Sequence, residues 1–193
     1  MTEWLRDEVA AHLEVAGAMS ESLPIVERVA DALCRSLAAG GKLITFGNGG
    51  SAADAQHFAA ELLGHFRRDR RSLPAVALTT DSSVLTAIAN DYGYEDVFAR
   101  QVEGLANPGD VVVGITTSGG SENVLRGVAA ARERGAVTVA LCGERSDQVG
   151  PLVDHLLAVP SADTARIQEM HILLIHLISE IVDEWAATEE SGE

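Results

Sequence analysis

Aromatic residues are scarce in this chain. Phe, Trp and Tyr make up 4% of its 193 residues, against 47% hydrophobic residues in all. The core must therefore be built from Ala, Val, Leu and Ile, the composition of α/β proteins whose buried strands run apolar. Positive charge is also short: 14 Lys and Arg face 29 Asp and Glu, for a net charge of −15. Such a surface repels phosphate backbones and excludes nucleic acid as a direct partner. A small anionic ligand would have to be held by local dipoles and not by the global field. The two cysteines, Cys34 and Cys142, each sit in an apolar run. They cannot form the disulfide framework of a small secreted protein and read as core thiols in a reducing cytoplasm. No apolar run reaches the length of a membrane span, and the first eight residues are acidic with no apolar signal core. With no repeat or low-complexity segment, one cytoplasmic domain over 1–193 is expected.

Its organisation follows from hydrophobic periodicity. Residues 3–19 and 25–38 carry apolar side chains at helical spacing, with Pro24 suited to a helix start and Gly40-Gly41 to its end. These two helices form an N-terminal extension over 1–40, of a kind that serves oligomer contacts. From residue 41 to 187, strands alternate with helices. Strands are predicted at 43–46, 75–78, 111–115, 137–141 and 156–159, and helices at 52–66, 82–89, 95–105, 121–134 and 164–187. This alternation predicts a five-stranded parallel sheet covered on both faces, with ligands at the carboxyl ends of its strands.

Two small-residue loops fall at such ends. Thr116-Thr117-Ser118-Gly119-Gly120-Ser121 follows one strand and precedes a helix. Its glycines allow close backbone approach, and the helix behind it offers free N–H groups to an anion. Ser121 could simply cap that helix. A cap needs one hydroxyl, however, and four of these six residues carry one. Gly47-Asn48-Gly49-Gly50-Ser51 has the same setting and is neither a Walker loop nor a dinucleotide fingerprint. Beyond it, His57 and Glu61 stand four apart on one helical face among Ala55, Phe58, Ala59, Ala60 and Leu62. An exposed i,i+4 pair is the plainer reading of such spacing. The last helix holds Gln168, His171 and His176, with Gln168 and His176 two turns apart on one side. A histidine in the run 172–178 is most often a satisfied core residue. His57, Glu61, Gln168 and His176 together offer either a zinc-type N/O donor set or an acid and a base for proton transfer. Spacing alone does not bring the two helices together.

The stretch Gly47 to Leu62 resembles the phosphoheptose isomerases. So do Ala89-Asn90-Asp91-Tyr92-Gly93, Thr116 to Ser121, and Arg166-Ile167-Gln168-Glu169-Met170-His171-Ile172 followed by His176. The resemblance runs over nearly the whole chain. It implies the sugar isomerase (SIS) fold, a flavodoxin-like three-layer sandwich, and the interconversion of D-sedoheptulose 7-phosphate and D-glycero-D-manno-heptose 7-phosphate. It further implies a homotetramer with active sites at subunit interfaces, and one Zn2+ per subunit on His57, Glu61, Gln168 and His176. Glu61 and His176 become the proton-transfer pair. Asn48, Gly49, Gly50, Ser51, Glu61, Asn90, Asp91, Thr116, Thr117, Ser118, Ser121 and Gln168 become the substrate-binding set.

The chain departs from the family pattern at His65, where several members carry Arg, with Arg67 and Arg68 as the nearby cations. It departs again at Ala165, where some members are acidic, and at Gly120, where many carry Asn. Two other readings compete. The replication initiator-associating proteins share Gln56-His57-Phe58-Ala59-Ala60, Ser72-Leu73-Pro74-Ala75 and Leu85 to Asp91 as a scaffold without catalysis. A scaffold needs neither Glu61 nor His176, and both are present. A sugar-phosphate sensor would bind without turnover, and regulators on this fold add a DNA-binding domain that 193 residues leave no room for.

Overall fold

Five short aliphatic runs form one parallel sheet in a computed structural model that describes residues 3–191. They are β1 (Leu43–Gly47), β2 (Ala75–Ala77), β3 (Val111–Thr116), β4 (Val137–Cys142) and β5 (His155–Ala158). The sheet order is β2-β1-β3-β4-β5, with every neighbouring pair parallel. Alternate residues serve opposite faces. Leu43, Val111, Val113, Ile115, Val139, Leu141 and Leu157 pack on one side with the helices α2 (Leu23–Ala38), α3 (Gly50–Leu63) and α7 (Thr164–Ser191). Ile44, Phe46 and Val112 pack on the other with α5 (Ala99–Leu105) and α6 (Glu122–Glu133). The helix α4 (Ser82–Tyr92) leans on this second layer through half-buried Leu85, Ile88 and Ala89. The expected three-layer sandwich is thus present. Cys142 is buried and Cys34 half-buried, both are free thiols, and burial pushes each up to about 11.

Some boundaries differ from those predicted, and at the end of α3 a distant partner is responsible. The helix expected to reach residue 66 stops at Leu63. The amides of Phe66, Arg67 and Arg68, which would have continued it, donate instead to the Asp183 carboxylate on α7. The helix expected over 95–105 divides into a 3-10 turn, Tyr94–Asp96, and α5. The last helix runs four residues beyond its expected end, to Ser191. Pro24 lies in the first turn of α2, as its fixed φ favours. The first helix, α1 (Glu3–Ala18), buries none of its residues. It is tied to α7 by His12 on Glu169 and Arg166 on Glu8, and it leaves Trp4, Leu5, Val9 and Leu13 exposed. Among the described residues, no helix is long and apolar enough to cross a membrane.

Candidate active site

The chain leaves β1 toward β2 on one side and later returns to β3 on the other, so the order reverses between β1 and β3. Loops diverge at such a point and open a crevice at the carboxyl ends of the strands. Both small-residue loops lie there. They are stitched together by a reciprocal amide pair. Asn48 Nδ2 donates to Asn123 Oδ1 at 2.8 Å, and Asn123 Nδ2 donates to Asn48 Oδ1 at 2.9 Å. Tyr94 adds a hydroxyl donor to Asn48 Oδ1 at 3.2 Å. Neither Asn123 nor Tyr94 is signalled by sequence spacing, since each is remote from the Gly/Ser motif it supports.

Three hydroxyls of the 116–121 loop converge. Thr116 Oγ1 is 3.1 Å from Ser121 Oγ and 3.3 Å from Ser118 Oγ, and the two serine oxygens are 3.4 Å apart. Ser121 stands at the cap position of α6 but makes no capping hydrogen bond. Its hydroxyl instead turns toward those of Thr116 and Ser118. Gly119, at φ +68°, passes so close to the carbonyl of Arg145 that a Cβ there would collide with it. Arg145 lines a small cavity with Thr117 and Ser118, and its carbonyl lies against Gly119. It too lies outside the motifs visible in sequence. Ser51 is buried in the first turn of α3, and Gly49 begins that helix without a side-chain cap.

About two turns along α3, roughly 10 Å, His57 Nε2 lies 2.9 Å from Glu61 Oε1 and 3.0 Å from His176 Nε2 on α7. The plainer sequence readings, an exposed pair and a satisfied core histidine, are thereby replaced by one cluster joining two helices. Phe66 stacks on the His176 ring with centroids 5.2 Å apart. Burial holds His176 below the usual histidine range, with His57 and Arg67 acting in the same sense and Glu61 against it. Its neutral ring keeps a lone pair for a proton or a metal.

Gln168, grouped with these residues in sequence, has its amide against Gly50, so tightly that a Cβ at Gly50 would collide with it. It faces the loop end of α3 rather than the imidazole end. Asn90 and Asp91 bond to each other at the exposed end of α4. Asp91 lines a separate groove of about 700 Å³ beside Arg100 and Val84. Arg67 and Arg68, the cations near His65, both pair with Glu180 at 2.9 and 2.8 Å. Of the other histidines, His12 pairs with Glu169. His171 is fully buried, with Nε2 3.3 Å from the Cys142 carbonyl.

Three donor atoms, one each from His57, Glu61 and His176, lie within 4.8 Å of one another. Two imidazole nitrogens and a carboxylate oxygen fit zinc, and three protein ligands leave the open position of a catalytic site.

Two buried titratable groups, Asp54 and His171, shape the fold's response to acid. Burial raises Asp54 from 3.8 to about 6, and burial lowers His171 from 6.5 to about 4. Native Asp54 therefore binds its proton before the unfolded chain does, and acidification from pH 6 to 4 stabilises the fold through it. Native His171 resists a proton that the unfolded chain accepts, and the same acidification destabilises the fold through it. The two offset each other. In Asp54→Asn, urea unfolding is expected to show stability falling more steeply between pH 6 and 4 than in the wild type. Equal slopes would mean that Asp54 titrates normally.

The SIS domain family model matches residues 7–143. The phosphoheptose isomerase of Geobacter metallireducens is 52% identical over 184 residues, covering 95% of this chain and 97% of that protein. That of Aquifex aeolicus is 55% identical over 156 residues, covering 81% of this chain and 82% of that protein. Among solved structures, the phosphoheptose isomerase of Francisella tularensis superposes with a TM-score of 0.91 at 36% identity, over 94% of this chain and 97% of that one. That of Neisseria gonorrhoeae superposes with a TM-score of 0.84 at 47% identity, over 93% and 99%. With a family match over most of its length and relatives at about half identity, this chain belongs to the SIS domain family, within its phosphoheptose isomerase group.

Proposed function

We propose that the protein is an aldose-ketose isomerase converting D-sedoheptulose 7-phosphate to D-glycero-D-manno-heptose 7-phosphate through a cis-enediol. The observation that carries this reading is the meeting of a carboxylate and a neutral imidazole, Glu61 and His176, through His57 on α3, a helix whose leading loop is tied by Asn48 to Asn123 beside the hydroxyl loop. The phosphate is assigned to Thr116, Thr117, Ser118 and Ser121 with the N-terminus of α6. Dipoles and hydroxyls act there at short range, which reconciles an anionic substrate with a chain of net charge −15. Arg145 adds a cation beside the loop. Asn48, Ser51 and Gln168 are assigned to the sugar hydroxyls.

Glu61 Oε1 faces His57, and Oε2 is left to act as the base. Oε2 takes the proton from C1 of the ketose, the C1–H electrons form the enediol double bond, and the same proton returns to C2 of the aldose. His176 moves a proton between O1 and O2, taking it from one oxygen and giving it to the other. His57, Glu61 and His176 would hold Zn2+, while Gln168, against Gly50, stays with the sugar hydroxyls. The ion would polarise the carbonyl and stabilise negative charge on the enediol oxygens. The substrate is a small sugar phosphate, the compartment the cytoplasm and the assembly a homotetramer. The exposed apolar side of α1, where Trp4 is 58% and Leu13 65% accessible, supports association.

The test is turnover of sedoheptulose 7-phosphate by metal-stripped and zinc-supplemented protein, with the aldose followed by NMR. Turnover in the zinc-supplemented sample alone is the expected result. Equal turnover in both samples would remove zinc from the reaction and keep the acid-base pair. Silence in both would sink the isomerase assignment.

A further inference from the structure

The segment after α3, residues 64–71, is crowded with charge: His65, Arg67, Arg68, Asp69, Arg70 and Arg71 surround a single aromatic residue, Phe66. Nothing in its composition would give such a surface segment one conformation. Its place is fixed from α7. Asp183, with no exposed surface, accepts from the amides of Phe66, Arg67 and Arg68 at 3.4, 2.9 and 2.6 Å, and from Arg70 Nε at 2.9 Å. The Arg70 guanidinium in turn donates to the carbonyls of Glu61, Leu62, Gly64 and Arg71. These include the last free carbonyls of α3, so the guanidinium caps the helix that carries Glu61.

Burying an ion pair is costly, and a surface loop does not require one. What this anchor accomplishes is to deliver Phe66 onto the ring of His176, at 5.2 Å between centroids and 24° between planes. We propose that Phe66 is a positioning residue for His176, and that Asp183 and Arg70 are the anchor that holds it there. The proposal rests on the reading of His176 as a working group of the isomerase site. An imidazole on a helix has two side-chain torsions, and several rotamers are open to it unless a neighbour selects one. The flat face of Phe66 stacks on the ring, while Nε2 points at His57 Nε2. Loss of the wall leaves the imidazole on the same helix but lets its nitrogen swing off line, where a misplacement of an ångström is expensive for proton transfer.

The experiment compares Phe66→Leu, which keeps apolar volume without the flat ring, with Phe66→Tyr, which restores the ring. In the leucine variant kcat is expected to fall about tenfold with KM within about twofold, because the phosphate end is untouched. Zinc affinity, measured by competition with a chromophoric chelator, is expected to weaken about tenfold, as for other residues that orient a ligand. The tyrosine variant is expected to recover both. Phe66→Met gives the same comparison should the leucine variant fail to fold. A folded leucine or methionine variant with wild-type kcat and zinc affinity would overturn the proposal. A wild-type protein that neither isomerises the heptulose phosphate nor binds zinc would overturn the site assignment beneath it, a distinct result.

Discussion

Glu61→Gln is expected to lower kcat about a thousandfold, the middle of the range for loss of a general base, while leaving the protein folded and the loop assigned to the anion intact. The amide has nearly the shape of the carboxylate, so packing between α3 and α7 is preserved. What it lacks is a basic oxygen and a negative charge opposite His57. The phosphate end is a separate loop, and Glu61 stands about three helical turns along α3 from the 47–51 loop that Asn48 ties to it, so the phosphate end should not sense the change. Inorganic phosphate, titrated while the amide resonances of Gly119 and Gly120 are followed, is expected to bind Glu61→Gln as it binds the wild type. The Ser118→Ala, Ser121→Ala double variant is expected to behave inversely. It loses two of the three converging hydroxyls, and each hydrogen bond to a charged group contributes about 1.5–3 kcal/mol. Phosphate affinity should drop tenfold or more with kcat largely kept. Full activity in Glu61→Gln would remove Glu61 from the mechanism, and unchanged phosphate affinity in the double variant would sink the loop assignment.

Asp183→Ala is expected to be the most destabilising single change at any charged residue of the fold. The Asp183 and Arg70 side chains are 0% and 1% exposed. Truncation would leave a buried guanidinium and three amides without their acceptor. Breaking such a pair costs about 3–5 kcal/mol, which in a chain of this size lowers Tm by roughly 10 °C. The exposed pair between Arg126 and Glu122 is the control, and its removal should leave Tm unchanged within error. The pH dependence carries a signature. Burial works to raise the Asp183 carboxyl, but the three backbone donors and Arg70 outweigh it and hold it below its ordinary 3.8. Its stabilisation is therefore fully present above pH 3.8 and is lost as pH falls through the native value. The gap in stability between wild type and Asp183→Ala should close at strongly acidic pH. A gap that persists there would mean that the carboxylate charge is not what stabilises the loop.

The sheet could be read from the chain because each strand is a short aliphatic run, and a run of that kind reports its own burial. The two loops could be read because their hydroxyls and glycines are contiguous, and His57 with Glu61 because four residues is one helical turn. Each of these is a property of a single element. What stayed hidden are the meetings between elements. His57 and His176 are 119 positions apart, and no periodicity on either helix reports the other. Asn123 looks like an ordinary first-turn residue until Asn48 lies opposite it. The apolar pattern of α3 runs on through Phe66, three residues past its end, while the amides that decide the matter are taken by Asp183, more than a hundred residues away. Local pattern fixes which face of an element is apolar, and packing fixes which polar groups then coincide.

The parallel run of α3 and α7 has a consequence for substrate choice. The two helices are in register at both ends, with Gln168 against Gly50 where α3 begins and Asp183 beneath Phe66 just past its end. Between these clamps the spacing to the carboxylate from the 47–51 loop, which Asn48 ties through Asn123 to the loop assigned to the anion, is set by α-helical rise, which neither stretches nor compresses. The pair is in effect a gauge. A sugar phosphate seated by its phosphate presents to Glu61 whichever carbon lies at the gauge length, so short-chain ketose phosphates would occupy the loop with their carbonyls out of reach. Selection by length would then be a property of the backbone, independent of any side chain that touches the sugar.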